Sequence, residues 1–164
     1  MRYLITFVCY GARLHGDERG SVDRGHNLPR TRFAEGDPDR LDAKRELMDQ
    51  PPYHLDSTRR AAVLEAIREV CSHRQWDLIA AHIRTNHVHV VVEANVAPEK
   101  AMLAFKSYAS RALNRRGLDQ PNRKRWARHG STRWLRKDQN VEDAIRYVVS
   151  EQGEPMAVHL SRRC

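Results

Sequence analysis

Nowhere does this chain run for the ~20 consecutive apolar residues that a membrane-spanning helix needs, so it is read as a protein that does not insert in a bilayer. Its opening, Met1 to Tyr10, is too short for a secretory leader and has no small-residue cleavage site. Cysteine is scarce. Cys9, Cys71 and Cys164 are odd in number and lack CxxC spacing, which argues against both a disulfide framework and a thiolate zinc site and fits a reducing cytoplasm. Acidic residues are nearly missing from one stretch: between Lys100 and Arg136 stand eleven Lys and Arg and a single acid, Asp119. That segment carries +10 in a chain of +8 overall and pI near 9.9. A charge so one-sided attracts a polyanion, and nucleic acid is the first candidate, ahead of a solvated helix face or an anionic membrane.

What is present is enough for one domain with a full core: 164 residues, 40% of them apolar. The expected span is therefore a single domain over 1–164. Residues 2–10 alternate as a first strand. Residues 11–57, dense in Gly, Pro and charge, read as a loop-rich insertion with a short helix at Asp39 to Met48. Ser57 is the expected N-cap of a helix from Thr58 to His73, striped with Ala61, Leu64, Ile67, Val70 and Cys71. Trp76 to Ile83 and His87 to Glu93 form a hairpin about Arg84-Thr85-Asn86. Pro98 opens a helix that Gly117 ends, and a fourth strand covers about Ser131 to Arg136. Asn140 caps a last helix from Val141 to about Gln152. The order β-α-β-β-α-β-α is the ferredoxin-like α+β arrangement, a single antiparallel sheet with helices packed on one face and the other face or edge left to bind.

The chemistry concentrates at Asn86-His87-Val88-His89-Val90-Val91-Val92. Side chains alternate along a strand, so His87 and His89 share one face and offer half of a metal site. In the last helix Asp143, Tyr147 and Glu151 recur every fourth residue on one flank. If that flank meets the histidine strand, two imidazoles, a carboxylate and a phenol converge. Such a set leaves positions on a divalent cation, magnesium or manganese, for phosphate oxygens, with the phenol as nucleophile toward a phosphodiester.

These motifs, in this order, resemble the single-tyrosine HUH transposases, including the REP-associated tyrosine transposases and the transposases of the smallest insertion sequences. The resemblance covers roughly residues 1–10 and 58–153 and rests on Asn86-His87-Val88-His89, on the Lys-containing helix Phe105-Lys106-Ser107-Tyr108, and on Ile145-Arg146-Tyr147-Val148-Val149-Ser150-Glu151-Gln152. It implies that Tyr147 is the nucleophile, that His87 and His89 are metal ligands, and that Glu151 is the third, with Gln152 as the alternative. It further implies cleavage and rejoining of single-stranded or hairpin DNA through a 5′-phosphotyrosine, with no nucleotide cofactor, by either a homodimer or a monomer. The charge count makes Lys106, Arg111, Arg115, Arg116, Arg123, Lys124 and Arg125 the expected phosphate contacts. Tyr108, Trp126 and Trp134 are candidates for base stacking.

Two further readings stand beside this one. A DNA-binding regulator would keep the basic face and do no chemistry. A small metallohydrolase would add His82 or His129 to the histidine pair, but leaves the basic segment without a purpose.

Overall fold

Strand propensity is densest at Val88, Val90, Val91 and Val92, and these residues form the central strand of a five-stranded sheet, buried on both faces. The computed structural model describes residues 1–12 and 48–162. In chain order they form β1 (Arg2–Cys9), α1 (Ser57–Arg74), β2 (Asp77–Ile83), β3 (His87–Glu93), α2 (Pro98–Arg115), β4 (Trp126–Trp134), α3 (Asp138–Ser150) and β5 (Ala157–Leu160). The sheet order is β4-β1-β3-β2-β5, and every neighbouring pair is antiparallel. This is the α+β architecture expected, with the β2–β3 hairpin at its centre. The insertion from 13 to 47, with all of its expected short helix except Met48, and Cys164 lie outside the described residues. Among the described residues no helix is long and apolar enough to cross a membrane.

The pleat divides the core in two. Tyr3, Ile5, Phe7 and Cys9 of β1 and Val88, Val90 and Val92 of β3 point to one face, where α1 and α2 bury Val63, Ile67, Val70, Phe105, Ala109 and Leu113 against them. Leu4 and Val91 point to the other face, and there α3 packs Val141, Ala144 and Val148 on them. The one-face placement of helices thus holds for α1 and α2, while α3 covers part of the opposite face. This second face also receives His87 and His89, since they share the parity of Val91.

Several boundaries differ from expectation for local reasons. Asp56, not Ser57, caps α1, its carboxylate accepting from the Arg59 N–H at 2.9 Å. α3 begins at Asp138, and Asn140 sits inside its first turn, accepting from the Lys137 N–H at 3.1 Å. β4 runs from Trp126, longer than expected, because its irregular pairing with β1 between Phe7 and Cys9 breaks the apolar alternation. Gly130 lies in this strand where a Cβ would come within 2.5 Å of the Thr6 carbonyl oxygen and 2.7 Å of Met102, so only glycine fits. β5, which no periodicity announces, is a four-residue edge strand on β2.

The chain returns from the insertion through a buried polar network. Asp119, the single acid of the basic segment, accepts from Tyr53 Oη at 2.7 Å, from Arg59 at 3.0 Å and from Arg125 Nε at 3.2 Å. Arg125 also donates to Asn114 Oδ1 at 2.7 Å, and its side chain is only 2% exposed. Burial pushes the Asp119 carboxyl up, but the hydrogen bonds from Tyr53, Arg59 and Arg125, with the Arg59 charge, outweigh it and hold the group below the usual carboxylate range. Asp119→Ala strands the Arg125 guanidinium in the interior and is expected to cost about 3 kcal/mol in urea denaturation. The depressed value means that the Asp119 contribution is complete above the ordinary carboxylate pKa of about 4 and disappears as pH falls through the lower folded value. Stability measured against pH should therefore lose its acid-side slope in the variant.

Candidate active site

His89 is 3% exposed and held at both nitrogens. Its Nδ1 lies 2.7 Å from the Thr6 hydroxyl, the residue directly opposite on β1, and its Nε2 lies 3.1 Å from Oε1 of Gln152. His87 stands beside it with ring centroids 4.9 Å apart and planes at 78°. The Nδ1 of His87 donates to Oδ1 of Asn86 at 2.8 Å, which directs the lone pair to Nε2. From α3, the Tyr147 ring meets His89 edge-on with centroids 5.4 Å apart, and Tyr147 is 41% exposed. Of the expected flank Asp143, Tyr147 and Glu151, Tyr147 meets the histidine strand, while Asp143 pairs with Arg146 and Gln139 along α3 itself.

Gln152 closes the group. Its amide oxygen addresses His89, and its amide nitrogen donates to the Tyr147 carbonyl at 3.1 Å. α3 ends at Ser150, and the Gln152 side chain folds back from just beyond it to reach the Tyr147 carbonyl. Glu151 is exposed. Among the described residues no three His, Cys, Asp or Glu side chains converge so as to hold a metal ion. The expected trio of His87, His89 and Glu151 is therefore not assembled, and the oxygen beside His89 belongs to Gln152. The reason is the helix end: Glu151 leaves the helical path at φ −111°, ψ 15°, and the next residue turns back across the strand.

Two imidazole nitrogens and an amide oxygen are donors that could hold a divalent cation, and they would leave other positions on it for further oxygen ligands. Thr6 and Asn86 orient the two rings from behind. Neither was expected to have a role. The sequence carries a signal for Thr6, a lone polar residue in the apolar run Tyr3-Leu4-Ile5-Thr6-Phe7-Val8, but not the β1–β3 register that pairs it with His89. His82, a ligand in the metallohydrolase reading, uses both nitrogens elsewhere: Nδ1 lies 2.9 Å from the Val148 carbonyl and Nε2 accepts from the Met156 N–H at 3.0 Å.

The basic segment divides. Lys106 turns inward over the Phe7 ring and donates to the Ala127 and His129 carbonyls at 3.0 and 3.1 Å, the groups that the β4 irregularity leaves out of the ladder. Burial pushes its ammonium pKa down. Arg125 is buried on Asp119, as described. Arg123 donates to Gln50 and Pro51 and stacks on Tyr53, and Lys124 pairs with Asp49 at 2.7 Å. Lys106 and Arg125 are thus spent inside the protein, and Arg123 and Lys124 hold the chain's return, Lys124 while still exposed. Arg111, Arg115 and Arg116 are exposed at the end of α2, on the face opposite the histidines, with Arg111 stacked on Tyr108 at 4.5 Å. Arg128 and Arg133 are exposed on β4, and Arg133 pairs across from Leu4 on the histidine face. Of the aromatic candidates, Trp126 packs on Phe7 and Tyr53 and donates to Ser110, while Trp134 is 47% exposed under the Arg136 guanidinium.

A profile of the family described as "Transposase IS200 like" matches residues 53–150. No curated protein sequence matches the chain. Among solved structures, a REP-associated tyrosine transposase bound to a REP hairpin superposes with TM-score 0.50 and 11% identity, over 92% of this chain. The chain spans 65% of the length of that protein. A transposase candidate from Deinococcus radiodurans R1 gives TM-score 0.45 and 11% identity, over 87% of this chain and 85% of the other. At such identity the likeness is one of fold.

Lys106→Met removes the donor from two carbonyls while keeping the apolar stem. It is expected to lower stability by about 1–3 kcal/mol in chemical denaturation, with the loss located at β4.

Proposed function

The chain belongs to the IS200-like transposase family, and from that premise we propose that it cuts and rejoins single-stranded DNA with Tyr147 as the nucleophile. The observation that carries this reading is the contact of the Tyr147 ring with His89 while Gln152 bridges the two, its oxygen on His89 and its nitrogen on the Tyr147 carbonyl. Tyr147 is exposed enough to meet a polymer, and its helix is tied to the strand of the histidines.

In the proposed reaction, the Tyr147 phenolic oxygen attacks a backbone phosphorus of the DNA. The phosphorus–O3′ bond breaks, leaving a 5′-phosphotyrosine and a 3′-hydroxyl that carries the proton given up by the phenol. Attack by a 3′-hydroxyl on the phosphotyrosine reverses the step and joins strands, so the energy of the phosphodiester is retained in the covalent intermediate. His87, His89 and Gln152 would hold the divalent cation, magnesium or manganese, which supplies Lewis-acid polarisation of the phosphate when bound. Thr6 suits this duty, because its hydroxyl can accept from Nδ1–H and so leave the lone pair of His89 on Nε2, toward the cation. Arg133 is exposed on the histidine face, and the exposed Arg128 of the same strand with Arg111, Arg115 and Arg116 extends the positive surface around the domain. A hairpin DNA, like that bound to the structural neighbour, is the substrate to try first.

Incubated with labelled hairpin DNA and manganese, the wild type is expected to form a covalent adduct and Tyr147→Phe none, with DNA binding retained in both. Tyr108→Phe should still form it. Binding without any adduct in the wild type would reduce the protein to a DNA-binding regulator. By calorimetry His89→Ala should abolish manganese binding, and Gln152→Ala should weaken it more than Glu151→Ala does. An equal effect of the last two would remove Gln152 from the ligand set.

Charge makes a separate prediction. Replacing Arg111, Arg115 and Arg116 together by Gln should reduce the log–log salt slope of single-strand binding by up to about 2, at about 0.7 per phosphate contact. The Lys106→Met slope should match the wild type.

A further inference from the structure

β2 reads Asp77-Leu78-Ile79-Ala80-Ala81-His82-Ile83, an apolar strand with one buried polar side chain. His82 is fully buried. A leucine or valine would fill this position without the desolvation of an imidazole, so the ring is expected to repay that cost through directed hydrogen bonds. It makes two. Nδ1–H donates to the Val148 carbonyl at 2.9 Å, and Nε2 accepts from the Met156 N–H at 3.0 Å.

Both partners border the turn that carries Gln152. Val148 follows Tyr147 and lies in the last turn of α3, where carbonyls lack partners within the helix. The Val148 carbonyl is met from the side by His82, and the Gln152 amide adds a donor to the carbonyl of Tyr147 one residue earlier. Met156 directly precedes β5, so its N–H marks where the turn rejoins the sheet. Between them, Arg84 at the end of β2 donates to the Glu154 carbonyl. His82 itself stands directly opposite His89 in the β2–β3 register. One ring thus fastens both ends of the 149–155 turn to the strand pair that displays His89.

We propose that His82 is a positioning residue, which sets the place of Tyr147 and Gln152 against His89 by capping the end of α3 and anchoring the start of β5. The inference rests on the reading of His87, His89 and Gln152 as cation ligands. The bridge needs one N–H and one lone pair on the ring, hence a neutral imidazole. Burial lowers the His82 pKa, with the Arg84 charge adding to it against the Val148 hydrogen bond, so the ring stays in that form.

Two measurements on the full chain test it: amide hydrogen exchange over residues 149–156 without metal, and manganese affinity by calorimetry. His82→Leu, which fills the site and removes both bonds, should speed exchange in the turn and weaken manganese binding about tenfold, the scale of losing support behind a ligand. His82→Asn keeps an N–H toward the Val148 carbonyl and should recover part of the affinity. If His82→Leu does not fold, Met156→Pro removes the exposed donor alone and is read the same way. Unchanged exchange, or faster exchange with wild-type manganese affinity, in a folded variant overturns the proposal. A wild type that binds no manganese rejects the cation-site reading instead, and exchange alone then decides whether His82 anchors the turn.

Discussion

Everything at the candidate site depends on the burial of β3 on both faces. A strand in that position cannot slip by one residue, because a slip would drive His87 and His89 into the core of α1 and α2 and expose the valines. The same pleat that sends Val88, Val90 and Val92 into the larger core therefore holds the two imidazoles on the face of α3. The valine just beyond the pair, Val91, joins the smaller core that seats α3. Packing and chemistry are thus coupled through a single strand.

α3 approaches this face as an amphipathic helix and leaves it through polar contacts. Its apolar stripe of Val141, Ala144 and Val148 sets the rotation, which brings the Tyr147 flank to His89. Near its end the Val148 carbonyl is met by the His82 ring and the Tyr147 carbonyl by the Gln152 amide. Helix termination, sheet extension by β5 and assembly of the site are consequently one structural event. In the proposed reaction such a tie would serve accuracy, since a nucleophile must be held within a fraction of an ångström of its productive position.

The basic segment shows how charge in a sequence divides between stability and binding. Lys106 and Arg125 satisfy carbonyls and a carboxylate inside the protein, Arg123 and Lys124 hold the return at Asp49 to Tyr53, and the remaining cations are those with fewest internal duties. Asp119 gathers Tyr53, Arg59 and Arg125 around one carboxylate, so the chain rejoins the domain after the long insertion at a fixed point.

Local sequence determined the elements and the parity of their side chains. Alternation announced β1 and β3, helical spacing announced α1, α2 and α3, and the motif Asn86-His87-Val88-His89 with Tyr147 in the last helix marked residues that the fold brings together, because periodicity and spacing are properties of neighbouring residues. Partners distant in sequence were decided only by the tertiary structure. The β1–β3 register chose Thr6 for His89, the end of α3 chose Gln152 over Glu151, and the break in β4 pairing drew Lys106 inward. β5 escaped notice because four residues at a sheet edge gain their order from β2 and from His82, not from any pattern of their own. A charge count says how many cations a chain owns, and only the packed structure says which of them still face a phosphate.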